Sequence, residues 1–437
     1  MSEERTRVAI LINNPYVADA RAWKSATSLA AAGYEVTVVA RWAPGLARRE
    51  TLEDHAVVRV RQPRPLPRLP APGLPETGDE GRGVIAVLRR RVRDTAGRGA
   101  QVLRYLLMSR QWTRAIAAEV RPAQVWQAES VITLAQAVAL RRRFGGLVVY
   151  DANDIDSEAG RMARLPGAWK QLLRRHERRL ARSADAVVTV SEPYAQVLER
   201  ILGRPVDAVV RNAAPVSHRD EPPSPGDVRR GDRFHVRLGL PSATRVVLYM
   251  GQVMRGRGLR QLFEAIALVD DAHLVIAGFG PDQERYQKLA AGLPQAARIH
   301  FMGFVAPAEI PGWTASADVS AMPVQPDTLN HRLNTPTKLY DAMGVGVPVV
   351  ASDLPGIAPI VRETGCGVLC DPTDPADIAR ALREILDAPE ADRLALRLHC
   401  LAAARTRYAW EHQAAELLRV YRSLGAAPSH VGAGPHT

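Results

Sequence analysis

Cysteine is scarce, with three in 437 residues at Cys366, Cys370 and Cys400. That is too few for a disulfide framework and fits a reducing compartment. The Cys366-x3-Cys370 spacing is half of a metal site with no second half, so buried thiols are the expected state. Also missing is any run of 18 uninterrupted apolar residues, so no membrane-spanning helix is expected. The opening MSEERTRVAILINN sets two acids before a short apolar run. It reads as a first strand and not a secretory leader, and residence in the cytoplasm is the expectation. Lysine is nearly absent too: Lys24, Lys170, Lys288 and Lys338 are all there are.

What is present is enough apolar residue, 46%, to build real cores, which excludes global disorder. The formal net charge is +12, but it is not spread evenly. Residues 61–115 hold 12 Arg against 4 acids, and 161–182 hold 8 basic residues against 1 acid. The two stretches sum to +15, so the remainder is slightly acidic at −3. A nucleic-acid-tracking protein is expected to be basic along a whole face, so nucleic acid is not an expected partner.

The residue pattern predicts α/β organisation. Val8–Ile12 and Glu35–Ala40 read as buried strands on either side of an apolar-periodic segment, Ala22–Ala32, that stops at Gly33. Six prolines between Gln62 and Pro75 mark a loop. Further strands are expected at 147–150, 186–190 and 206–210. The composition of 216–240 is that of a linker. A second αβ series follows, with strands at 245–250, 273–277, 298–302, 319–322, 347–351 and 367–369. The expected division is therefore a first Rossmann-like domain at 1–215 with a basic insertion at 61–115, a linker at 216–240, and a second domain at 241–407. A closing helix at 408–424 and a flexible tail at 425–437 complete it. Two such domains are expected to face each other across a cleft.

The second series carries the chemistry. In Asn334-Thr-Pro-Thr-Lys338-Leu-Tyr-Asp341 a proline flanked by threonines opens a helix, with Pro336 expected at the first helical position. A helix start offers free N–H groups and a positive dipole end, an anion site that Lys338 reinforces. Asp341, three residues on, shares the face and suits a ribose diol. Two glycine-rich turns converge on the same end of the sheet: Gly251-Gln-Val-Met-Arg255-Gly-Arg257-Gly258, and Gly278-Phe-Gly280-Pro281. Guanidinium groups in such a loop suit a diphosphate. Neither turn is a GxGxxG fingerprint, which argues against NAD.

These segments, together with HFMGFV at 300–305, ADVSAMP at 317–323, the stretch 13–40 and YAWE at 408–411, resemble a retaining glycosyltransferase of GT-B architecture in family 4. The resemblance implies that Lys338, Arg257, Arg255, Thr335 and Thr337 hold the diphosphate of a nucleotide sugar, with Asp341 on the ribose. It implies Val305 on the base, and His331 and Asn334 near the donor sugar. In the first domain, Asn14, Asp19, Arg21, Asn153 and Asp154 would face the acceptor, a glycan or lipid-linked cell-envelope precursor. Neither cofactor nor metal is implied; Lys338 and Arg257 are the expected electrostatic catalysts.

The chain departs from the family at several positions. Leu333 and Asp341 stand where two glutamates are common, Asn153 where many relatives carry His, and Gly251-Gln252 where Gly-Arg is usual. Two other functions fit parts of the pattern: a sugar-nucleotide epimerase on the same fold, and a basic protein binding membrane or nucleic-acid surfaces. Basic amphipathic helices at 84–112 and 167–182 are expected to dock on anionic lipid at the inner face of the membrane.

Overall fold

The computed structural model describes residues 5–17, 19–62, 108–159, 162–216, 221–228 and 230–428. The expected basic insertion therefore lies outside the described residues from 63 to 107, and the expected tail does so from 429 onward.

Two sheets organise the chain. The first is built from β1 (Arg7–Leu11), β2 (Glu35–Arg41), β3 (Arg49–Thr51), β4 (Ala56–Val60), β5 (Val125–Ala128), β6 (Leu147–Ala152), β7 (Ala186–Thr189) and β8 (Ala208–Val209). Its order is β3-β4-β2-β1-β5-β6-β7-β8. Only the edge pair β3–β4 is antiparallel among the pairs with a described register. The second holds β9 (Arg245–Met250), β10 (Ala272–Ala277), β11 (Ile299–Gly303), β12 (Val319–Met322), β13 (Val349–Ser352) and β14 (Gly367–Cys370). Its order, β11-β10-β9-β12-β13-β14, reverses between β9 and β12, and every pair is parallel. This is the doubly wound arrangement, in which ligands gather at the carboxyl ends of the strands beside the reversal.

Strand β9 shows why. Val246, Leu248 and Met250 enter one apolar cluster, and Val247 and Tyr249 the cluster on the opposite face. Alternate side chains point to opposite faces, so a strand buried on both must be apolar throughout. By contacts the chain divides into two compact units, 1–151 with 180–186 and 424–437, and 152–179 with 187–423. Within 216–240, Arg233–Leu238 is a helix whose Phe234 is fully buried in the second sheet's core. At the other end of the chain, Tyr34 donates to the Ala426 carbonyl at 2.6 Å and Thr6 to that of Ala427 at 2.8 Å.

Two local expectations change. Pro336 is the N-cap and not the first helical residue; the helix is Thr337–Gly344, and the ψ of 137° at Pro336 is extended. The helix Gly167–Ala181, expected to offer its basic face to lipid, instead exposes Leu172, while Lys170 and Arg174 turn in to Glu158 at 2.8 Å each. Arg178 donates to the carbonyls of Ile201 and Arg200. Three of this helix's five cations are thus engaged by other parts of the protein.

Candidate active site

At the carboxyl edge of the second sheet, three turns lock together. The Gly251 amide donates to Ala277 at 2.8 Å, and the Gly278 amide to Gly303 at 2.7 Å. Gly278 has φ +146°, and a Cβ there would lie 1.9 Å from the Gly251 carbonyl oxygen, so only glycine allows this approach. The helix Thr337–Gly344 delivers Lys338 to the same edge. Its Nζ sits 3.8 Å from the centroid of the Tyr249 ring, a cation–π contact. Lys338 is half-buried, and burial plus the Arg257 charge hold its pKa well below the ordinary lysine value, Asp341 opposing.

Arg257 is also half-buried, and among the described residues no carboxylate pairs with it or with Lys338. Asp341 and Asp154 act on these two cations only at a distance, so the pair is left without a directly bound anion. Arg255 differs: it is exposed, its amide donates to Asp282 at 3.0 Å, and its Nε lies 3.7 Å from the same carboxylate.

The remaining donor-side candidates divide by what their side chains already do. Thr335 is buried with its hydroxyl spent on the Gly356 carbonyl at 2.6 Å. Thr337 opens the helix and accepts from Asn212 Nδ2 at 3.0 Å. Asn334 caps the short helix Leu329–Leu333. From that helix, His331 packs against the turn at Gly256, where a Cβ would come within 2.6 Å of its ring. Its Nδ1 is buried without a partner, and burial and Arg257 lower its pKa. A neutral His331 can therefore face a sugar hydroxyl. Val305 is half-buried against the second core, and Asp341 is half-buried with its charge felt at Lys338.

The carboxyl edge of the first sheet is built differently. Asp19 caps the helix Ala20–Ala31, taking the Ala22 amide at 3.1 Å and Asn14 Nδ2 at 2.6 Å. Asn14 Oδ1 in turn accepts the Tyr16 amide at 2.8 Å. Arg21 makes two bonds to Asp151 at the end of β6, Nε to Oδ2 at 2.9 Å and Nη2 to Oδ1 at 2.7 Å. Both side chains are nearly inaccessible, at 5% and 1% exposure. Asn14 and Asp19 thus hold each other, and Arg21 ties the helix start to the end of β6. Asn153 keeps a buried Oδ1 without a partner. Asp154 is exposed and accepts from Asn330 Nδ2 at 2.7 Å, while Asn330 Oδ1 takes the Ile155 amide and the Tyr194 hydroxyl. Among the described residues there is no cluster of metal-ligating side chains, and no helix is long and apolar enough to cross a membrane.

Residues 244–388 match the family described as Glycosyl transferases group 1, and residues 21–213 match Glycosyltransferase Family 4. The chain belongs to the family 4, group 1 glycosyltransferases. Among curated relatives of this family, the D-inositol 3-phosphate glycosyltransferase of Corynebacterium urealyticum is 29% identical over 224 residues, 49% of this chain and 51% of that protein. The chain spans about half to three fifths of the length of such relatives. Among solved structures, sucrose-phosphate synthase from Thermosynechococcus elongatus superposes with a TM-score of 0.73 at 18% identity, covering 97% of this chain and 100% of the other. Anabaena HepE in complex with UDP-glucose does so at 0.66 and 15%, covering 96% and 100%. The fold is thus the mixed α/β, GT-B-type architecture of two parallel sheets.

Three residues of this family member were not reached from the sequence. Glu129 follows β5, a strand whose central Gln127 breaks the apolar run; the usable signal was Ser130, which caps the helix Val131–Phe144. Asn212 sits in an irregular segment and Asn330 in the five-residue helix Leu329–Leu333, both too short to show a periodicity that marks a side chain as inward-facing.

Proposed function

We propose that the protein transfers a sugar from a nucleoside-diphosphate donor to a hydroxyl acceptor, with retention at the anomeric carbon. The observation that carries this is the pair Lys338 and Arg257: half-buried cations at a helix start, with no carboxylate paired to either among the described residues. A diphosphate supplies the missing charge, and the helix dipole adds to its binding. Family membership and the UDP complexes of a fold neighbour support the choice of ligand.

In this reading the bond from the anomeric carbon to the diphosphate oxygen breaks through an oxocarbenium-like state. The acceptor oxygen bonds to that carbon, and its proton leaves with the diphosphate. Negative charge gathers on the leaving group, where Lys338 and Arg257 already stand, so little reorganisation is needed. Asp341 takes the ribose, Val305 the base, and His331 the donor sugar. No side-chain nucleophile is required.

The acceptor in this reading is a glycan or lipid-linked envelope precursor, reached in the cytoplasm at the inner membrane face. The excess of basic residues in 161–182 supports this, and the inward pairing of Lys170 and Arg174 reduces the charge left for lipid. Retention on anionic vesicles that weakens with salt is the expected result; no retention at low salt removes the membrane part.

The donor is tested with a panel of UDP-, GDP- and dTDP-sugars, read by thermal shift and hydrolysis. One family should stabilise the wild type, with the response lost in Lys338→Ala. Conversion of the sugar nucleotide to an isomer without acceptor would instead mark an epimerase.

A further inference from the structure

Glu129 stands apart from the rest of the first sheet's edge. Strands β1 and β5 are parallel neighbours with Leu11 opposite Ala128, so Asn13 and Glu129 leave the sheet from adjacent strand ends. The Glu129 backbone is fixed there, its amide donating to the Leu11 carbonyl and to Thr133 Oγ1. Three carboxyl groups, Asp19, Glu129 and Asp151, surround the one guanidinium of Arg21. Both oxygens of Asp19 and both of Asp151 are engaged, whereas Oε1 of Glu129 is buried with no partner. Asn13 Oδ1, at the neighbouring strand end, is buried and partnerless as well. Two orphaned oxygens at adjacent strand ends are a costly pattern unless a ligand completes them.

We propose that Glu129 is a neutral carboxylic acid that donates a hydrogen bond to an oxygen of a polyhydroxylated ligand at the carboxyl edge of the first sheet. The chemistry matches on both sides: a sugar or cyclitol hydroxyl accepts from the Glu129 O–H and donates to Asn13 Oδ1. Burial first, then the charges of Asp19 and Asp151, drive the Glu129 pKa well above its ordinary value, Arg21 opposing. Those groups come from the helix Ala20–Ala31 and its cap and from β6; Tyr16, after β1, also feels the Glu129 charge, and Lys24 on the same helix is buried. Ligand affinity is then greatest with the proton in place and falls as pH rises through the elevated pKa. The inference rests on the reading that this edge receives the acceptor, and it makes Glu129 a specificity residue for neutral hydroxyls over anionic groups.

The test uses the full chain labelled with [13C]glutamate, the Glu129 carboxyl resonance being the one missing from Glu129→Gln. It should remain protonated above the ordinary glutamate value of about 4.3, where the other glutamates are ionised. Glycerol, myo-inositol and D-glucose serve as probes; at least one should raise its titration midpoint. Glu129→Gln, which keeps a donor, should hold that probe within about threefold of wild type and lose the pH dependence. Glu129→Ala should weaken it on the order of tenfold. An ordinary titration midpoint, or no response to any of the three probes, overturns the inference. UDP titrated into the same sample separates the two claims: UDP binding without a polyol response sinks this inference alone, and absence of UDP binding sinks the glycosyltransferase reading beneath it.

Discussion

The two sheets end in the same kind of edge and treat charge there in opposite ways. At the first, Arg21 is buried and matched by Asp151 through two bonds, with Asp19 capping the helix that carries it. At the second, Arg257 and Lys338 are half-buried and no carboxylate is paired to either among the described residues. A matched buried pair fixes a scaffold, because removing either member strands the other charge. An unmatched pair stores electrostatic free energy that only an arriving anion releases. The presence of arginine at a strand end says little about function; whether its charge is already neutralised says more.

That contrast can be broken at its strongest point first. Arg21→Ala should lower stability by about 3–5 kcal/mol, because Asp151 would stay buried without a counter-charge. The check is a lower urea midpoint at unchanged slope; a loss under about 1 kcal/mol would mean the pair is not structural. Lys338→Ala should reduce turnover on the order of 100-fold while leaving the urea midpoint equal or higher, since it removes a destabilised charge. Equal damage to folding and turnover would erase the distinction between the edges.

The next effect is smaller and depends on pH. Glu129 has a folded pKa above its unfolded value, so the folded state binds the extra proton between the two. Its contribution is most favourable below the unfolded value, about 4.3, and is lost as pH rises through the folded one. Glu129→Gln should therefore gain melting temperature over wild type at about pH 8 and show little difference near pH 4. A gain that is the same at both values would contradict the assignment. Least affected should be Arg255→Ala, whose exposed side chain already faces Asp282; UDP affinity should stay within about threefold.

The contrast also explains what could be read in advance. Strand β9 matches its expected limits, 245–250, because its buried stretch Val246–Met250 is continuously apolar, and β12 matches at 319–322 with Ser320 as its one polar residue. The edge strand β3, its neighbour β4 with Arg59 in it, and β5 with Gln127 carry no unbroken apolar run and were not foreseen. Lys338 could be proposed from local pattern because a helix start and its neighbours lie close in sequence. The state of Arg21 could not, since its partner Asp151 lies 130 positions away. Thr335 and Asn14 were ligand candidates by type; the fold adds that the Thr335 hydroxyl donates to Gly356 and that Asn14 bonds Tyr16 and Asp19. Side-chain type is local information; hydrogen-bond occupancy is a property of the fold.

The central claim, that the second edge is a cationic site awaiting a diphosphate, is tested most directly by proton-linked calorimetry of UDP binding. Lys338 has a depressed pKa in the free protein, so part of it is neutral at alkaline pH. A bound diphosphate raises that pKa, and the complex must take up a proton. Titrations at about pH 8, where the phosphates carry their full charge, in buffers of different ionisation enthalpy should show proton uptake. Uptake should grow with pH and vanish in Lys338→Met. UDP binding with no proton uptake, or with the same uptake in the variant, would contradict the account.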